Sequence, residues 1–113
     1  MSSQYSEISV SDFADLFSQS PDVFLIDVRE TDEYISGHVP GAIHIPLNEV
    51  PQRVDEFRNP TGAATFVICK AGGRSASACE YVSQFSIETI NIAGGTMGWL
   101  MQGHDVVEGS QPK

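Results

Sequence analysis

Three short apolar runs, Val23–Val28 (VFLIDV), Ala64–Cys69 (ATFVIC) and Thr89–Ile92 (TINI), alternate with stretches whose apolar residues recur at helical spacing. Runs this short, with little polar alternation, read as buried strands. Their alternation with helical segments predicts an α/β fold. At 113 residues the chain has room for one such unit and no second.

Between the runs, Ile8–Val10 reads as a short first strand and Ser11 as the cap of a helix that puts Phe13, Leu16 and Phe17 on one face. RETDEYISG is expected as a short helix ended by Gly37, and Ala42–Ile45 as a short apolar piece. Asn48 is expected to cap a helix through VPQRVDEF. RSASACEYVSQF reads as a helix with Ala78, Cys79, Val82 and Phe85 on its apolar stripe. GGTMGWLMQG reads as a turn into another short helix, and residues 104–113 as a polar tail.

Fifteen acidic against six basic residues give a formal charge of −9, the wrong sign for neutralising phosphates. Nucleic acid and anionic membrane are therefore not expected partners. No run approaches the ~20 apolar residues of a bilayer span. MSSQYSEISVSDF lacks the basic-then-apolar pattern of a secretory leader, which makes the cytoplasm the expected compartment.

The segment richest in chemistry is FVICKAGGRS, residues 66–75, where a strand ends at Cys69 and a helix begins at about Gly73 or Arg74. The first amides of a helix lack intrahelical partners and its dipole adds positive charge, so such a junction is an anion cradle. Gly72 and Gly73 suit a turn that needs positive φ or close backbone approach. Lys70 and Arg74 are two of the six cations of an acidic chain, so the loop is built around negative charge. A thiol at the base of that cradle is favoured as its thiolate, which makes Cys69 the expected nucleophile. Ser75 is placed to hydrogen-bond within the loop or to cap the helix.

Cys79 falls on the apolar stripe and reads as core. It should lie roughly 10 Å along the helix from the loop, beyond the ~7 Å reach of a disulfide to Cys69. Asp27 and Arg29 read as a structural ion pair. His38 reads as a turn residue, because a thiolate formed by the cradle needs no base. His44 and His104 have no Cys or carboxylate at ligand spacing, so neither a metal nor another cofactor is expected. Trp99, Met97 and Met101 read as core rather than pocket lining. Glu30, Thr31, Asp32 and Glu33 read as a solvated face.

Three segments, LIDVRETDEYISGHVPGAIHIP (25–46), CKAGGRS (69–75) and NIAGGTMGW (91–99), together resemble a single-domain rhodanese, a sulfurtransferase domain. The resemblance spans residues 8 to 104 and implies a central, mainly parallel five-stranded sheet flanked by helices, with the loop at the carboxyl ends of the strands. It implies one rhodanese domain over 1–113, with 105–113 as tail. It makes Cys69 the carrier of a persulfide, surrounded by Lys70, Ala71, Gly72, Gly73 and Arg74, with Asp27 and Arg29 as a charge network beneath.

The implied chemistry is attack of the Cys69 thiolate on a donor such as thiosulfate or a persulfide, followed by transfer to a thiol or cyanide, in two half-reactions. Lys70 and Arg74 would hold the donor's sulfonate. The alternative is a sulfur carrier or sensing module that exchanges sulfur with a protein partner. Relatives with phosphatase or arsenate reductase activity carry a longer loop, which argues against those reactions here. One departure stands after Trp99, where Gly103-His104-Asp105 replaces the family's frequent Gly-x-Pro turn.

Overall fold

In the computed structural model, which describes residues 5–113, five parallel strands form one sheet in the order β1-β5-β4-β2-β3. The strands are β1 (Tyr5–Ser9), β2 (Leu25–Asp27), β3 (Ile43–His44), β4 (Thr65–Ile68) and β5 (Thr89–Ala93). The helices are α1 (Val10–Gln19), α2 (Thr31–Ser36), α3 (Gly73–Ser83) and α4 (Gly95–Met101). This is the parallel five-stranded sheet that the resemblance implies.

β4 lies at the centre, pairing Phe66 with Leu25 on one side and with Ile90 on the other. Its four residues are all buried, as an apolar run covered on two faces requires. Phe66, Ile68, Leu25 and Ile92 pack with Phe13, Tyr34 and Trp99 on one face of the sheet. Val67, Cys69, Ile26 and Val28 point the other way, toward Ala78, Cys79 and Val82 of α3. The period-two alternation thereby puts Cys69 on the α3 face of the central strand.

Several boundaries differ from expectation. β1 begins at Tyr5 and α1 at Val10, because Ser9 and not Ser11 is the cap; its hydroxyl accepts the Asp12 amide at 3.0 Å. Ser11 lies inside the helix and accepts a bond from Gln102. The segment after Pro46 is two 3₁₀ turns, Leu47–Gln52 and Val54–Phe57, rather than an α-helix capped by Asn48. Pro51 inside the first turn has no amide to extend an i→i−4 ladder. Phe85 falls beyond the end of α3 and is 42% exposed, so it leaves the stripe.

The C-terminal segment is not a free tail. His38 and Val107 exchange backbone bonds of 2.9 and 2.8 Å, and the Gly41 and Gly109 amides donate to the Pro112 and Ile35 carbonyls. His38 itself is fully buried, stacked on Tyr34 with ring centroids 3.7 Å apart, and its ring nitrogens face the Tyr34 and Gln111 carbonyls. Its role is in the turn, as expected. Trp99 is buried as expected, and its Nε1 donates to the Asp105 carbonyl at 2.8 Å. No helix among the described residues is long and apolar enough to cross a membrane.

Candidate active site

Cys69 follows β4 directly, and the loop after it is shaped from two sides. The Thr96 amide and hydroxyl, at the start of α4, donate to the Cys69 carbonyl at 2.8 and 3.0 Å, and the Met97 amide donates to the Lys70 carbonyl at 2.9 Å. With those carbonyls engaged outward, the loop's amides are left to face the sulfur. The Gly72 amide donates to Cys69 Sγ at 3.1 Å.

Two glycines make this approach feasible. Gly72 has φ +116°, a left-handed conformation that precedes α3, and Gly95 at φ +58° comes so near the loop that a Cβ there would run into the Cys69 and Lys70 carbonyls. Gly73 meets neither condition: its φ is unexceptional, and a Cβ would touch nothing. The expectation that Gly73, like Gly72, serves a positive φ or a close backbone approach is thereby corrected.

Ser75, buried in the first turn of α3, places its hydroxyl 3.3 Å from Sγ, 3.2 Å from the Gly72 carbonyl and 2.5 Å from Asn91 Oδ1. A hydroxyl has one proton to donate, so Cys69, the Gly72 carbonyl and Asn91 compete for it. Asn91, buried on β5, is anchored in turn by bonds from its Nδ2 to Glu7 at 3.0 Å and to the Gly72 carbonyl at 3.2 Å. Burial alone would push the Cys69 thiol up. The Ser75 hydroxyl and the amides of Ser75, Gly72 and Ala71 outweigh it, so the thiol lies below its usual value.

The two loop cations do different things. Lys70 is exposed, and its side chain has no ion pair among the described residues. Arg74 is committed to Glu33 through two bonds of 2.7 and 3.0 Å, in the forked geometry of guanidinium on carboxylate. The Arg74 bond holds the Glu33 carboxyl down at about 2, against the opposing effect of burial. Glu33 is therefore no part of a solvated face, although Glu30, Thr31 and Asp32 are exposed as expected.

Asp27 and Arg29 form a buried, doubly bonded pair with a shortest contact of 2.8 Å. Arg29 also donates to the Gly37 carbonyl at 2.8 Å, so its bonds tie the end of β2 to the end of α2 rather than reaching residues 70–75. Met97 and Met101 are 42% and 79% exposed, which corrects their reading as core. His44 stacks on Tyr34 and bonds the Arg29 carbonyl.

Asn91, Glu7 and Thr96 were not singled out by the sequence, and Glu33 was read only as solvated surface. Asn91 carried a signal, as an amide side chain between two isoleucines in the run TINI.

The description "Rhodanese-like domain" matches residues 9–102 of the chain. The chain belongs to the rhodanese-like family. Among the relatives of this rhodanese-like domain is a protein of Bacillus subtilis named putative sulfurtransferase YtwF, 31% identical over 93 residues, covering 82% of this chain and 88% of that one. Thiosulfate sulfurtransferase GlpE of Tolumonas auensis is 32% identical over 98 residues, covering 86% and 90% of the two chains. The crystal structure of a rhodanese-related protein from Thermoplasma volcanium superposes with a TM-score of 0.78 at 32% identity, over 91% of this chain and 98% of that one.

Proposed function

We propose that this rhodanese-like domain is a sulfurtransferase that carries sulfane sulfur as a Cys69 persulfide. The observation that carries the reading is the Cys69 sulfur, held 3.1 Å from the Gly72 amide and 3.3 Å from the Ser75 hydroxyl, with its thiol below the usual value. Relatives named as sulfurtransferases support it.

With thiosulfate, the Cys69 thiolate attacks the outer sulfur. The new S–S bond forms as the donor's own S–S bond breaks, and sulfite leaves with the bonding pair. In the second half-reaction a thiolate or cyanide attacks the terminal sulfur of the persulfide and the Cys69 thiolate is regenerated. The same donors stabilise both anions and are in place beforehand, so neither half-reaction requires the site to reorganise.

A second reading, a carrier loaded and emptied by proteins, is favoured by one observation. Met97, Leu100 and Met101 form an exposed apolar strip on α4, and the Met97 backbone bonds the rim of the loop at Lys70.

The test is the intact mass of the reduced protein before and after thiosulfate, with the modified peptide located. A gain of one sulfur at Cys69, released by cyanide as thiocyanate, is the expected result. A folded protein with free Cys69 and no gain refutes thiosulfate as donor. Loading of Cys69 by a protein persulfide alone would then establish the carrier.

A further inference from the structure

The sulfurtransferase reading raises the question of which donors the site prefers, and the Glu33–Arg74 pair bears on it. Both terminal nitrogens of Arg74 are bonded to Glu33, and the guanidinium is one-third exposed, at the edge of the loop. Glu33 is not free to swing away at no cost. Its Oε1 also accepts the Glu30 amide at 2.9 Å, in the capping box that starts α2, so the carboxylate is fixed by the helix that carries it. Glu30, at the cap of the same helix, adds a second carboxylate close enough to act on Arg74.

A donor with an anionic head group arriving at Arg74 therefore meets a carboxylate already in the place its oxygens would take. Lys70 is left as the loop cation without a partner among the described residues, and one ammonium faces a dianion alone. An organic hydropersulfide RSSH has no oxyanion head group to place at Arg74: the Cys69 thiolate, held by the Gly72 amide and the Ser75 hydroxyl, attacks its outer sulfur, the donor's S–S bond breaks and the thiolate RS⁻ leaves with the bonding pair.

We infer that Glu33 is a specificity-determining residue: by occupying Arg74 it turns the site away from dianionic thiosulfate and toward organic hydropersulfides. This rests on Cys69 accepting sulfur, and stands as the alternative to Arg74 clamping a sulfonate. Glu33 touches no reacting atom and acts through Arg74.

The experiment compares kcat/KM for thiosulfate and for 2-hydroxyethyl hydropersulfide, with cyanide as acceptor, in the wild-type protein and in Glu33→Gln. Glutamine also serves as the third residue of a capping box, so α2 keeps its start while the carboxylate charge is removed. The ratio of thiosulfate to hydropersulfide kcat/KM is expected to rise about tenfold, the scale of one charge beside a partly exposed site, with the gain in KM for thiosulfate rather than in kcat. Glu33→Ala, checked by its melting curve, should move the ratio in the same direction. A ratio that stays put or falls in folded variants overturns the role of Glu33 while leaving Cys69 loading intact. A wild-type protein that loads Cys69 from neither donor overturns the sulfurtransferase reading, and this inference with it.

Discussion

The molecule contains two buried thiols ten positions apart, and they are opposites. Cys69 is 1% exposed and Cys79 fully buried, yet the Cys69 thiol is lowered while burial pushes Cys79 up to about 11. The difference lies in what each sulfur faces. Cys69 looks into a turn whose amides and one hydroxyl point at it, whereas Cys79 sits among Ala78, Val82, Val67 and other apolar side chains of the α3 face. A cysteine's reactivity is thus set by the donors aimed at it, and exposure is a poor guide.

The largest effect that would break this comparison is in turnover. If Cys69 carries the persulfide as proposed, Cys69→Ser should reduce sulfur transfer by at least about a thousandfold. Cys79→Ala should keep transfer and instead lower the unfolding free energy, read from denaturant curves, by about 1 kcal/mol for a small buried side chain. Loss of transfer in the second variant with a normal melting curve would give Cys79 a chemical role.

A smaller effect sharpens the comparison by pH. The thiolate is the species that alkylates, and a lowered thiol keeps its thiolate at lower pH. The iodoacetamide rate at Cys69, followed by peptide mass, should therefore reach half its plateau below the usual ~8.5 of a free thiol. Cys79, fully buried and with its thiol pushed up to about 11 by burial, should stay unlabelled in the folded protein over the pH range in which Cys69 reacts. Equal rates at the two sites would dissolve the contrast.

The finest test removes one donor. Ser75→Ala should move the Cys69 alkylation profile about one pH unit upward, the worth of one hydrogen bond to a charged group. An unmoved profile would mean that the Ser75 proton goes to Asn91 or the Gly72 carbonyl rather than to the sulfur.

The loop was legible because its logic is local. Cys69, Lys70, Gly72 and Ser75 lie within seven positions, and a strand end, a glycine and a helix start can be read from neighbours. The buried strands were legible for the same reason, as apolar runs of strand length. Glu33 was misread because its partner is 41 residues away, and an acidic helix start looks the same whether it faces water or a guanidinium. The C-terminal segment was misread because its attachment to His38 and Gly41 runs through backbone groups, which every residue except proline presents alike. Ser9 and Ser11 both suit a cap, and the choice between them is fixed by where β1 ends.

The pairing of β1 with β5 joins residues 5–9 to residues 89–93, so the sheet closes between segments far apart in the chain. Asn91, which braces Ser75 and Gly72, rides on the later of these two strands, and Thr96, which grips the Cys69 carbonyl, follows it. During synthesis on the ribosome, Cys69 emerges long before either. Until residues 89–97 are available to dock, the Cys69 and Lys70 carbonyls and the Ser75 hydroxyl lack the partners that hold the loop with its amides aimed at the sulfur.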